Sequence, residues 1–169
     1  MEAERNNPEP MMPENVAIFV DVQNVYYTCR QALSGNFDYN AFWAQVTEGR
    51  EVVAAYAYAI DRGDEKQRQF QNILRAIGFE VKLKSFIQRA DGSAKGDWDV
   101  GITIDMLEST AIADTLVLVS GDGDFAILAD KLRQHYGKRV EVYGAPGLTA
   151  KALMDAASDF IAIDNKLLL

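Results

Sequence analysis

The stretch Val117-Leu118-Val119-Ser120-Gly121-Asp122-Gly123-Asp124-Phe125 reads as an apolar strand ending in a glycine-loosened loop that carries two carboxylates. The stretch Ala17-Ile18-Phe19-Val20-Asp21-Val22-Gln23-Asn24 ends in a similar way, with an acid directly behind a short buried strand. Open α/β sheets hold their ligand crevice at the carboxyl ends of the strands, where both acids fall. Carboxylates gathered there without matching cations repel one another and resist ionising. Hard oxygen ligands of this kind suit magnesium or manganese, so the two loops predict a metal site and phosphate chemistry.

Outward from these loops, strand and helix patterns alternate. Residues 16–20, 52–60, 79–83, 115–119 and 139–143 read as strands, with 160–163 as a short edge strand. Alanine alternating with tyrosine over 55–59 marks a strand covered on both faces. Helices are expected over 24–34, closed by Gly35, and over 39–46 after Asp38. A third runs from an Asp64 cap to residue 77, with Gly78 as its stop. Three more cover 98–108, 125–135 and 149–156, the first with Val100, Ile104 and Leu107 on one stripe. The segment 88–96 reads as a polar loop. This alternation predicts a three-layer α/β/α sandwich with a mostly parallel central sheet of Rossmann-like type. Residues 1–14 are polar and proline-punctuated and read as a mobile leader, which leaves 15–169 as a single domain.

The 169 residues include 49% hydrophobic side chains, enough for a sizeable core. No apolar run approaches the roughly 20 residues of a membrane span, and signal-peptide features are missing, so the expected address is the cytoplasm, with no membrane partner. Cys29 stands alone in an apolar-periodic stretch, which excludes an internal disulfide and reads as a buried structural thiol. A net charge of -8 argues against nonspecific adhesion to nucleic acid. It leaves room for a nucleic-acid enzyme, because an acidic centre contributes several of those charges. One local basic patch runs through Lys82, Lys84, Arg89 and Lys95; a second, Lys131, Arg133, Lys138 and Arg139, reads as solvated surface. The apolar end Leu167-Leu168-Leu169 either covers a sheet edge or joins a homodimer interface.

The third acidic contribution comes from Lys95-Gly96-Asp97-Trp98-Asp99-Val100. Asp99 falls on the first turn of its helix, where a carboxylate is favoured by the helix dipole. Asp97 caps that helix or joins the site. Asp105 lies about 240° further round and off that face. Asp124 is a helix cap or a further ligand, and Asn24 caps a helix, steers Asp21 or touches phosphate. Ser120 lacks a base, since the single histidine, His135, ends a helix far down the chain. Walker and dinucleotide glycine loops are absent, and Gln23 stands where an aspartyl-phosphate phosphatase would need a second acid. Tyr26 and Tyr27 follow the first loop with faces about 100° apart, so at least one is expected to pack inside. Trp98 either packs between helix and sheet or stacks on a base.

Together these pieces resemble the NYN domain family, in particular its LabA-like (DUF88) branch, which shares the PIN-like nuclease fold. The resemblance rests on Phe19-Val20-Asp21-Val22-Gln23-Asn24, Lys95-Gly96-Asp97-Trp98-Asp99-Val100, Val119-Ser120-Gly121-Asp122-Gly123-Asp124-Phe125 and Val140-Glu141-Val142-Tyr143-Gly144, and spans about residues 15 to 163. It implies a metal-dependent ribonuclease acting on RNA, with Asp21, Asp99, Asp122 and Asp124 around Mg2+ or Mn2+. Asn24 matches the family's polar residue after the first aspartate, and Lys95 with Gly96 its Lys-Gly pair, placed to meet phosphate. Many relatives have one residue between Lys-Gly and Asp-Val, whereas Asp97 and Trp98 both stand here. Asp97 and Asp99 are therefore both candidate ligands, Asp99 preferred because Val100 follows it. Two other functions fit the same acids: an RNA- or protein-binding module with little turnover, and a metal-dependent small-molecule phosphohydrolase.

Overall fold

In the computed structural model, which describes residues 13–85, 87–88, 94–95 and 97–169 (backbone alone at 87, 88, 94 and 95), β1 spans Glu14–Asp21. Its Val16, Ile18 and Val20 point to one face and Ala17 and Phe19 to the other, and all five are fully buried. A strand covered on both faces needs helices on both, and the chain supplies them. α1 (Val22–Leu33), α2 (Tyr39–Thr47), β2 (Arg50–Asp61), α3 (Glu65–Ile77) and β3 (Glu80–Ser85) follow in order. After a short pair, β4 (Ile87–Gln88) and β5 (Ala94–Lys95), come α4 (Asp99–Ser109) and β6 (Thr115–Val119). A 3-10 turn (Gly123–Phe125) leads into α5 (Ala126–Gln134), and β7 (Arg139–Gly144), α6 (Lys151–Ala156) and β8 (Asp159–Ala162) complete the sheet.

The six long strands are all parallel, in the order β3-β2-β1-β6-β7-β8. Val25 and Cys29 of α1, Phe42 and Val46 of α2 and Leu74 of α3 cover one face. Ile102 and Met106 of α4, Leu128 and Leu132 of α5 and Leu153 of α6 cover the other. Each such side chain contributes about 1.5–3 kcal/mol by leaving water. The three-layer α/β/α sandwich is thus confirmed, with a wholly parallel sheet. The chain winds from β1 outward to β3, then returns to the other side of β1 and winds outward to β8. The turning point of a doubly wound sheet lies between β1 and β6, and there the loops part to leave a crevice.

Several expectations need correction. The stretch 88–96 is not wholly loop, because Ile87 and Gln88 pair antiparallel with Lys95 and Ala94; Arg89 and Gly96 lie outside the described residues. The stripe Val100, Ile104 and Leu107 is not one packed face of α4: Val100 is 71% and Ile104 50% exposed, while Leu107 packs at the edge of the core that Ile102 and Met106 enter. α4 is apolar on more than one side, so periodicity leaves its roll open. Trp98 sets that roll. Its Nε1 donates to the Ala59 carbonyl at 2.9 Å, and its ring lies where a side chain on residue 101 would begin, 2.6 Å from the Cβ position that Gly101 leaves empty. The chain end packs inward: Leu167 is buried in the core and Leu168 bridges Phe37.

Other readings hold. Asp38 and Asp64 cap α2 and α3 through their side chains. Cys29 is buried, which pushes its thiol up to about 11 and leaves it unreactive. His135 ends α5 on the surface. The first 12 residues of the expected leader lie outside the described residues, and β1 already begins at Glu14. No described helix is long and apolar enough to cross a membrane.

Candidate metal centre

Asp21 is the last residue of β1, and α1 begins directly behind it. Ser120-Gly121-Asp122 leaves β6, the neighbouring strand, at the same sheet edge. Asn24 ties the two loops together, its Oδ1 accepting the Gly121 N–H at 2.9 Å. Its amide oxygen is therefore spent on positioning, not on capping α1. Gly121 is needed for the close approach behind it: a Cβ there would sit 2.7 Å from the Leu148 carbonyl oxygen.

Ser120 is fully buried and acts as a bracket. Its hydroxyl donates to Asp21 Oδ2 at 3.1 Å and its Oγ accepts the Asp122 N–H at 3.2 Å. Asp122 Oδ1 in turn accepts the Asp124 N–H at 2.9 Å, closing the 3-10 turn. Asp99 enters from the first turn of α4. Carboxylate oxygens of Asp99, Asp122 and Asp124 lie within 4.8 Å of one another. Asp21 stands beside this trio, and an open cleft of about 240 Å³ is lined by Asp21, Asp97, Asp99 and Asp122 together with Gln23, Asn24, Tyr27 and Thr28. Asp97 is exposed at its rim, with Oδ1 facing the Asp99 N–H at 3.3 Å.

Among the described residues, none of these five aspartates has an ion-pair partner. The electrostatic result is large. Burial, then the neighbouring Asp122, Asp97 and Asp21 carboxylates, raises Asp99 to about 7. Burial raises Asp21 to about 6 even though the Ser120 hydroxyl and the Asn24 backbone N–H favour its charged form, and the Asp122 and Asp97 charges add to the rise. Crowded carboxylates that present only hard oxygen donors, without ion-pair partners among the described residues, fit a divalent cation.

The comparisons with known proteins agree with this geometry. Residues 15–164 match the NYN domain. The chain belongs to the NYN domain family. The "Low amplitude and bright protein LabA" of Synechococcus elongatus is 30% identical over 162 residues, covering 90% of this chain and 86% of LabA. A protein of unknown function from Vibrio parahaemolyticus, VPA0982, is 57% identical and superposes with a TM-score of 0.90, covering 96% of this chain and all of that one. The family is PIN-like and of nuclease type, and the described NYN domain carries an acidic cluster able to bind a divalent metal.

Within this NYN domain, the other expected site residues separate into two groups. Trp98 packs: its N–H is committed to Ala59 and its ring lies 5.3 Å from Tyr58. Lys95 lies in β5, with its side chain outside the described residues. The two described lysines of the expected basic patch, Lys82 and Lys84, are engaged by the fold. Lys82 pairs with Asp105 at 2.6 Å, and Asp105 also accepts the Tyr58 hydroxyl at 2.8 Å, so Asp105 is structural. Lys84 Nζ donates to the Asp97 carbonyl at 2.9 Å and lies 4.5 Å from the centre of the Trp98 ring. Gln23 and Thr28 line the cleft without a sequence signal of their own. What places them there is that α1 starts immediately behind Asp21, so its first two turns border the acids.

Proposed function

We propose that the protein is a metal-dependent ribonuclease that hydrolyses RNA phosphodiester bonds at this cleft. The observation that carries the reading is the meeting of Asp99, Asp122 and Asp124 beside buried Asp21, with no ion-pair partner for them among the described residues. Asp99, Asp122 and Asp124 would hold the ion, Mg2+ or Mn2+. Bound there, it would supply Lewis acidity toward phosphate and a lowered pKa for an attacking water.

The chain's own residues do the rest. Ser120 fixes the Asp21 carboxylate and the Asp122 backbone against each other. Asn24 holds the β6 loop at its distance from α1. Asp97 adds negative charge at the rim, and Lys95, on the β4–β5 side, meets phosphate. The cleft is open and small. Sites that engulf a whole small molecule are typically ~300–1,000 Å³, whereas a shallow acidic cleft suits a phosphodiester presented by a longer chain.

The test is cleavage of end-labelled single-stranded and hairpin RNA with Mn2+, Mg2+ or a chelator, beside Asp21→Asn and Asp122→Asn proteins. Metal-dependent cutting that both folded variants lose is the expected result. Equal cutting by the variants would overturn the assignment, and absence of cutting under every condition would leave a binding module. Turnover of nucleotides or sugar phosphates in place of RNA would favour a phosphohydrolase.

A further inference from the structure

α1 carries an aromatic step at the lip of the cleft. Tyr27 stands one turn beyond Gln23, and both line the same cleft as Asp21, Asp99 and Asp122. Tyr26 and Tyr27 are 46% and 53% exposed, so neither packs inside, contrary to the expectation that one would, and the Tyr27 ring adds little to the core. It is braced nonetheless. Tyr26 meets it at 5.3 Å in a T-shaped pair, and Tyr26 is itself held by Arg30, whose Nη1 donates to its hydroxyl at 2.8 Å. A braced, exposed aromatic ring loses little freedom when a flat partner settles on it.

We propose that Tyr27 is a stacking platform for a nucleobase and makes the substrate single-stranded RNA; the inference rests on the ribonuclease reading above. Three observations converge on it. Trp98, next to Asp97 and Asp99 in the chain, has its N–H and ring committed to the fold. Lys82 and Lys84, among the described residues, are engaged within the protein, and the chain carries a net charge of -8, so a contact that does not depend on charge adds to binding. Stacking is indifferent to charge, and base–aromatic stacking is worth roughly 1–3 kcal/mol per base. A base inside a duplex has no free face to offer, so the platform selects unpaired strands. Arg30, one turn past Tyr26, is the cation placed along the same helix.

The test uses the Asp122→Asn protein without added metal, in which cutting is expected to be lost, and a short single-stranded oligoribonucleotide carrying one 2-aminopurine. Anisotropy gives the affinity, and 2-aminopurine quenching reports stacking. Adding Tyr27→Ala should weaken binding roughly 5- to 150-fold and abolish quenching, with thermal unfolding unchanged because the side chain is exposed. Tyr27→Phe should retain both signals, and a duplex of the same sequence should bind more weakly. Unchanged affinity and quenching in Tyr27→Ala, preference for the duplex, or no binding at all would each overturn the proposal. The two readings fail separately. Cutting by the parent with Tyr27-independent binding would sink the platform alone; Tyr27-dependent binding with no cutting by the parent would sink the ribonuclease alone.

Discussion

At the amino edge of the sheet Glu14, Glu141 and Asp159 each face an arginine, whereas at the carboxyl edge Asp21, Asp99, Asp122 and Asp124 face one another. Arg50, at the start of β2, reaches Glu141 on β7 with two hydrogen bonds of 2.6 and 2.9 Å and Glu14 on β1 at 3.1 Å. Arg139 adds a contact of 3.1 Å to Glu141 and a second pair with Asp159. Burial works against the charge of Glu141, yet hydrogen bonds from the two arginines hold its carboxyl below the usual glutamate range. Asp21 is also buried, finds no cation among the described residues and is pushed up to about 6. The same chemical group is locked at one edge and left unbalanced at the other. Only the second arrangement has charge to offer a cation, and it costs stability until one binds.

The largest effect should come from breaking the balanced edge. Arg50→Met leaves Glu141 buried without its bidentate partner and should cost about 3–5 kcal/mol in urea unfolding. Adding Glu141→Leu should recover most of that loss, because a buried ion pair replaced by apolar packing is often neutral. A single variant as stable as the parent would mean that the amino edge holds nothing together.

A change of pH should separate the edges next. With Asp21 raised from 3.8 to about 6 and Asp99 to about 7, the folded protein binds more protons than the unfolded chain between about pH 4 and 7. The stability these groups contribute is therefore full below about pH 4 and falls as pH rises through 6 to 7. The fall from Asp21 is about 3 kcal/mol at 1.36 kcal/mol per pKa unit. Glu141 has the opposite sign: its contribution is present above the usual glutamate pKa and lost in acid. Urea unfolding in chelator at pH 4.5, 6 and 8 should show the decline, and Mn2+ should flatten it. Stability that climbs across that range in chelator would contradict the unbalanced edge.

Asp122→Asn offers a smaller test with the opposite direction from Arg50→Met. It removes one of the charges that raise Asp99 and Asp21, while an asparagine oxygen still accepts the Asp124 N–H. The metal-free protein at pH 8 should gain about 1 kcal/mol, on the scale of one pKa unit. The rise in unfolding temperature that Mn2+ gives the parent should disappear. A variant that is less stable in chelator than the parent would show that Asp122 is structural.

The balance between these edges was only half legible in the sequence. Asp21 and Asp122 announce themselves, because each follows an apolar run and strand–helix alternation fixes which sheet edge they share. Asp99 needed the resemblance to a family, since nothing in Asp97-Trp98-Asp99 alone says which acid turns inward. Ser120 carried no nucleophile's partner and could be read only negatively; its role as a bracket depends on β1 and β6 being neighbours. The outward stripe of α4 was misread because Ile102, Met106, Val100 and Ile104 are all apolar, and the choice was made by Trp98 and by the missing Cβ of Gly101. The arginine edge gave no signal at all. Arg50 and Glu141 lie 91 positions apart, and their pairing exists only once β2 and β7 stand two strands apart across β1 and β6.

The smallest effect tests whether the amino edge works through one pair or through a count of charges. Arg139 and Asp159 are also paired, but their side chains are 45% and 54% exposed. Exposed pairs are screened by water and contribute about 0–1 kcal/mol. Asp159→Asn leaves Arg139 its contact with Glu141, so no buried charge is stranded. Urea unfolding should detect a loss below about 1 kcal/mol, several times less than for Arg50→Met, with metal-dependent stabilisation untouched. Equal losses in the two variants would mean that the edge behaves as a shared electrostatic network, and burial of Glu141 would no longer explain why the two ends of the sheet differ.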